Sequence, residues 1–207
     1  MSGLVERTIG HLRRHGPWRA LRHAIVQYGL FQGSKKILRF LPEADWVDHN
    51  LARFDFWVFH RRLPSRKRRL FNDMFWHVRG TPEINDPLRV FVSDKELVKL
   101  YVKAVAGDEY NVPTIAVLRD MEAVRAFEFP RDCCIKPTHG SGQVILRHDG
   151  APIDYDEIAS WFGMNYYHGR REQNYRTLRP KVIVEPLIFD MDRLADFKVF
   201  CWQGEPR

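Results

Sequence analysis

The sequence predicts a mixed α/β fold. Three observations carry that expectation. Short apolar and β-branched runs at 133–136, 144–147 and 182–185 read as strands, amphipathic helical spacing lies between them, and Gly/Pro punctuation separates the two patterns.

In chain order, 4–15 and 18–40 read as helices broken by Gly16-Pro17, and Pro42 ends the second. Residues 45–60 are rich in aromatics (Trp46, Phe54, Phe56, Trp57, Phe59). The basic run 61–69 follows, and 70–78 resumes an apolar helical pattern. The character changes at Gly80-Thr81-Pro82, so two regions are expected: a basic, mainly helical 1–80 and a mixed 81–207. Ser93, with Glu96 three residues on, reads as a capping box opening a helix through Val105. A loop and short strand are expected over 111–118. Beyond the strands at 133–136 and 144–147, a helix is expected over 154–162. The strand at 182–185 is followed by another over 197–202, which ends at the turn around Gly204.

Composition narrows the function classes. The 207 residues are 44% hydrophobic and 13% aromatic, enough for a sizeable core and unlike a disordered chain. Three cysteines without CxxC spacing speak against a disulfide scaffold or a zinc site. No apolar run reaches the roughly 20 residues that a membrane-spanning helix needs, and no signal-peptide pattern opens the chain. A cytoplasmic protein is expected, with the inner face of the membrane as a second expected location. The net charge is +7, with 16 Lys and Arg against 6 Asp and Glu in 1–80 and 17 against 20 thereafter. The basic run 61–69 reads first as a solvated loop, next as a patch for anionic lipid or a polyanionic substrate, and last as a nucleic-acid patch. No nucleic-acid module is visible, and no nucleic-acid partner is expected.

The chemistry concentrates at 136–143, Lys-Pro-Thr-His-Gly-Ser-Gly-Gln. A cation ends a strand, and a loop with two glycines follows. Glycines let backbone N–H groups approach a phosphate closely, and the ammonium adds a point charge. It is neither a Walker A loop nor a dinucleotide fingerprint, since no Gly-Lys-Ser/Thr and no following helix are present. Alone, the loop is as compatible with a plain hairpin as with a phosphate site. His139 reads as a polar loop residue, and Cys133 and Cys134 as strand packing.

The order of parts is more specific. Asp94-Lys95 precedes this loop, and Val182-Ile183-Val184-Glu185-Pro186-Leu187 and Asp196-Phe197-Lys198 follow it. With the Phe-His-Arg-Arg-Leu-Pro segment at 59–64 and Phe71-Asn72-Asp73, these parts resemble the TupA-like branch of the ATP-grasp superfamily, linked to cell-surface polysaccharide and teichuronopeptide biosynthesis. The resemblance runs from about Phe56 to Arg207. It implies an ATP-grasp-like α/β (α+β) fold, a helical N-terminal region followed by an incomplete nucleotide-binding grasp. It also implies roles. Lys95 and Lys136 would contact ATP phosphates, with Lys136 also near the adenine. Gly140, Ser141 and Gly142 would form the loop over the triphosphate, and Glu185 and the backbone at Leu187 would hold the nucleotide. Lys198, in place of an Arg common in related ligases, would stabilise the transferring phosphoryl group. The implied chemistry is carboxylate–amine ligation through an acyl phosphate, with Mg2+ offsetting the triphosphate charge. The family's metal ligands follow the Gly204-type turn, so they are expected beyond Arg207, with little catalysis from the chain alone.

Two other functions fit the same residues. One is transfer of a phosphoryl or glycosyl group to a sugar of a surface polysaccharide. The other is a basic membrane- or polyanion-binding module with a vestigial nucleotide fold. The ligase reading expects Lys136, Lys198 and Glu185 in one cleft beside the glycine loop.

Overall fold

The computed structural model describes residues 38, 40–68, 70–188, 199, 201–202 and 204–206. The helices expected at 4–15 and 18–40 therefore lie outside the described residues, apart from helical Leu38 and from Phe40; so do Asp196 and Lys198. The chain divides into two compact units, residues 1–83 with 168–171, and residues 84–167 with 172–207.

In the first unit, α1 (Asp45–His60) places Asp45 and Asp48 in its first turn and His60 in its last, charges that suit the helix dipole. It ends where Arg61 adopts a left-handed conformation (φ 55°) and donates its N–H to Trp57 O at 2.8 Å. Val47, Ala52, Phe56 and Val58 are buried, while Trp46, Phe54, Trp57 and Phe59 stay exposed. Helix α2 (Phe71–Arg79) buries Asp73, whose carboxylate takes a two-pronged contact from Arg62 at 2.6 and 2.7 Å and the Ser65 N–H at 2.8 Å. Part of the basic run is thus committed to this packing. Arg171, nearly fully buried, donates to the carbonyls of Leu38, Leu41 and Pro42 and to Asp48, 3.2 Å away.

The second unit opens with α3 (Pro87–Ser93), where Asp86 accepts from Leu88 N and Arg89 N and Pro87 sits at the first helical position. Helix α4 (Leu97–Val105) follows. Here the capping expectation is corrected. Ser93 is the last residue of α3, and its Oγ donates to Arg89 O at 2.7 Å. The capping oxygen belongs to Asp94, whose Oδ1 accepts from Glu96 N (2.8 Å) and Leu97 N (3.3 Å). The Pro87 start supplied a separate short helix that uses up Ser93, leaving the next side-chain oxygen to begin the new one.

Strand β1 (Ala116–Leu118) leads to α5 (Met121–Ala126), capped by Asp120. Strands β2 (Cys133–Pro137) and β3 (Ile145–Arg147) flank the glycine loop. Then come α6 (Tyr155–Phe162), capped by Asp154, α7 (Tyr166–Arg170), whose last three residues belong to the first unit, and β4 (Val182–Pro186). The hairpin of β5 (Cys201–Trp202) and β6 (Glu205–Pro206) turns at Gly204, with φ 83°. Val199 lies outside any strand, so the strand expected over 197–202 is realised, among the described residues, only at its end.

The four-stranded sheet is antiparallel throughout, in the order β1-β4-β2-β3. Side chains alternate between its faces. Leu118, Cys133, Ile135, Val182 and Val184 point to one face and pack with Val124 of α5 and Ile158 and Trp161 of α6. Burying each large apolar side chain of this kind contributes about 1.5–3 kcal/mol, so this layer holds the sheet. The other face carries the remaining set: Val117, Cys134, Lys136, Leu146, Ile183 and Glu185.

Candidate functional site

The site grows from strand alternation on that second face. Cys134 pairs with Glu185, and Lys136 pairs with Ile183, across the two central strands. Lys136 and Glu185 are therefore diagonal neighbours on one face, and a long side chain spans that separation. The Lys136 ammonium stands 2.5 Å from Glu185 Oε2. A second ammonium, from Lys99 one turn into α4, stands 2.5 Å from Glu185 Oε1. Lys99 also donates to Val112 O at 2.6 Å and Thr114 Oγ1 at 2.9 Å. Burial pushes the Glu185 carboxyl up, but its contacts with Lys136 and Lys99 outweigh burial and hold it below the usual glutamate range. It is an anion bridging two cations.

Lys95 arrives from the turn ahead of α4. Its ammonium donates to Pro137 O at 2.9 Å and to Gly140 O, seating it on the carbonyls at the exit of β2. Burial lowers its pKa, the neighbouring Lys136 charge lowers it further, and Asp94 and Glu185 act in the opposite direction. Lys95, Lys136 and Glu185 thus share one electrostatic neighbourhood.

The glycine loop has two distinct requirements. A Cβ added to Gly140 would lie 2.8 Å from Met164 Cε and 3.2 Å from Gln143 Oε1, so a side chain at this buried position would have to displace the flexible ends of both. Gly142 is exposed with φ 90° and open space around it, so there the need is conformational. Ser141 between them is exposed, and Leu187 is half-buried immediately after β4. His139, expected as a polar loop residue, is buried instead. Its Nε2 faces Trp161 O at 2.9 Å and its Nδ1 accepts from Lys181 N at 3.4 Å, so it ties the root of the loop to the end of α6. Burial lowers its pKa, with a further push from the Lys95 charge, which favours the neutral ring.

Of the residues singled out from sequence, the structure brings Lys95, Lys136, Glu185 and Gly140 together. Ser141, Gly142 and Leu187 adjoin them along the chain, and Lys198 lies outside the described residues. Two cations at the site went unread in the sequence. Lys99 looks like any exposed helical lysine, although it falls four residues after Lys95, in the first turn of α4. Lys181 gave no signal, since its burial comes from Asp94 and Glu96, distant in sequence.

The arrangement can accept a polyanion. An antiparallel sheet face lined by apolar Val117, Ile183 and Leu146 is bordered by three ammoniums and a glycine loop, with one carboxylate as counter-charge. Among the described residues, the one cluster with metal-ligand spacing is Asp132, His148 and Asp149, exposed on the β2–β3 hairpin and with Arg131 2.8 Å from Asp149.

A mixed α/β unit with a lysine-bearing antiparallel sheet and a glycine-rich hairpin is the build of an ATP-grasp protein. The family model described as TupA-like ATPgrasp matches residues 73–207, and the chain belongs to that family. The family uses ATP and Mg2+. No curated protein and no solved structure matches the chain.

Proposed function

We propose that the second unit holds ATP at the lysine-bearing face of its sheet, as the nucleotide-binding part of a ligase that acts on a cell-surface polysaccharide or its precursor. The observation that carries the reading is the Lys136–Glu185–Lys99 bridge beside Lys95 and the glycine loop, four charges converging on a face otherwise lined by apolar side chains. Lys136 and Lys95 attract and orient the phosphates as point charges. The N–H groups of the glycine loop cover them and exclude water. Glu185 fixes the Lys136 ammonium, and the backbone at Leu187 reads the base edge; Pro186 lacks an N–H and contributes only its carbonyl. Lys198 opposes charge on the transferring phosphoryl group. Bound Mg2+ supplies charge neutralisation of the triphosphate. The family chemistry, activation of a carboxylate as an acyl phosphate and its capture by an amine, defines the reaction class.

Thermal shift tests the reading. Mg-ATP is expected to raise the melting temperature of the chain, and Lys136→Ala is expected to remove that rise. Cys134 offers a second readout, because it is half-buried on the same face opposite Glu185. Mg-ATP should slow its alkylation while leaving exposed Cys201 unchanged, as resolved by mass spectrometry. Equal alkylation of Cys134 with and without nucleotide would exclude this face.

A second reading concerns the first unit. Arg66, Lys67 and Arg68 are exposed, and Leu63 and Leu70 beside them in sequence are 52% and 53% exposed, a composition suited to an anionic lipid surface. No helix among the described residues is long and apolar enough to cross a membrane. Co-sedimentation with vesicles containing phosphatidylglycerol, lost on neutralising 66–68, tests peripheral contact.

A further inference from the structure

Beside the turn that carries Lys95 lies a buried polar cluster that the proposed function does not use. The Lys181 ammonium is 3.0 Å from Asp94 Oδ2 and also contacts Glu96 Oε2, with side chains 10% and 2% exposed for Lys181 and Asp94. Thr138 Oγ1 donates to the same Asp94 oxygen at 3.2 Å, and Arg119 contacts the other oxygen of Glu96 at 2.9 Å. Taking these charges out of water costs several kcal/mol per ion before pairing, so apolar packing would hold the fold as well or better. What the cluster secures is geometry. Thr138 N donates to Lys181 O at 2.9 Å, and Lys95 N donates to Thr138 O at 3.1 Å. The residue before β4, the residue after β2 and the turn before α4 are thereby fixed to one another. That fixed turn delivers the Lys95 ammonium to Pro137 O and Gly140 O.

We propose that Lys181 is a positioning residue. By neutralising Asp94 and Glu96 and locking the Asp94 turn to Thr138, it holds the Lys95 ammonium at the root of the glycine loop, ready for an incoming phosphate. Lys181 touches no phosphate itself and acts through Lys95. The phosphate part of this inference rests on the nucleotide reading of the site; the placement of Lys95 does not.

Two measurements on the full chain test it. The first is amine acylation of the free protein, with the rate at Lys95 taken relative to exposed Lys103 by mass spectrometry. Lys181→Met is expected to raise Lys95 acylation several-fold, and Lys181→Arg to restore protection. The second is calorimetric titration with Mg-ATP. Lys181→Met is expected to weaken binding roughly tenfold, the loss of about one charge-assisted contact. In a Lys95→Ala background the same change is expected to add nothing, because both act through one group. Unchanged Lys95 acylation in folded Lys181→Met overturns the proposal, and so do losses that multiply in the double variant. If the wild-type chain fails to bind Mg-ATP, the nucleotide reading falls, and the acylation result alone decides whether Lys181 places Lys95. Should Lys181→Met not fold, Thr138→Val, which removes only the hydroxyl contact to Asp94, takes its place with the same expectations.

Discussion

Glu185 is the residue on which the site's electrostatics turn. It answers two ammoniums at once, from a strand and from a helix, and each lysine alone leaves it partly neutralised. Lys136→Ala therefore keeps the Lys99–Glu185 contact, and the fold is expected to survive it with a loss of only about 1 kcal/mol, while Mg-ATP affinity falls about 10- to 100-fold in calorimetry. The pH response follows from the same pairing. Glu185 titrates lower when folded than when unfolded, so in acid the unfolded chain binds a proton that the folded chain refuses. Its contribution to stability is complete above the ordinary glutamate value of about 4.3 and drains away as pH falls through the depressed folded value. Asp73, held down chiefly by its hydrogen bonds from Arg62, behaves alike. Urea midpoints measured from pH 7 to pH 3 should fall, and Glu185→Gln should flatten part of that fall. The sequence marked Lys136 because a cation ends a strand ahead of a glycine loop, and Glu185 through the family resemblance at the end of the 182–185 strand. It was silent on Lys99 and Lys181, whose partners are assembled only by the tertiary fold.

At the scale of the element, the turn ahead of α4 decides two things together: where the helix starts and where Lys95 points. Asp94→Ala removes the capping oxygen and one of the two carboxylates on buried Lys181, a combined cost expected near 3–5 kcal/mol in denaturant unfolding. Ser93→Ala, which loses a contact to Arg89 O and one from Asn174, is expected to cost under about 1 kcal/mol. The contrast distinguishes Asp94 from Ser93 as the cap. The strands and the helix over 154–162 were legible in the sequence because apolar and β-branched runs and helical spacing are local signals. The separate helix at Pro87 was not, since a seven-residue helix shows barely two turns of periodicity. The glycine loop makes its own prediction. Gly142→Ala strains exposed backbone at φ 90° and is expected to weaken Mg-ATP binding more than Gly140→Ala, whose added methyl meets only the flexible ends of Met164 and Gln143, as read by titration.

Across the whole chain, the described residues form two units with separate means of support. The first depends on charge as much as on apolar packing. Arg171 gathers three carbonyls and Asp48, and Arg62 clasps Asp73. Arg171→Ala is expected to cost several kcal/mol in the first unit, seen as a lowered urea midpoint. The basic surplus of 1–80 hinted at this region's distinct character. Which arginines are spent internally was not readable, because Asp48 and Asp73 look like ordinary helical acids until they are buried. The second unit rests on the apolar layer that Val124, Ile158 and Trp161 build against the sheet.

The strands that carry Lys136 and Glu185 are the inner pair of the four, with β1 and β3 at the rims. Rim strands fray first, so amide hydrogens of 134–136 and 183–185 should be among the last in the chain to exchange with deuterium. The charged bridge is then built before any ligand arrives, and its geometry persists through every local opening that spares the centre of the sheet. Variants far from the face should accordingly lower occupancy by shrinking the folded fraction, while the folded molecules that remain keep the same intrinsic affinity.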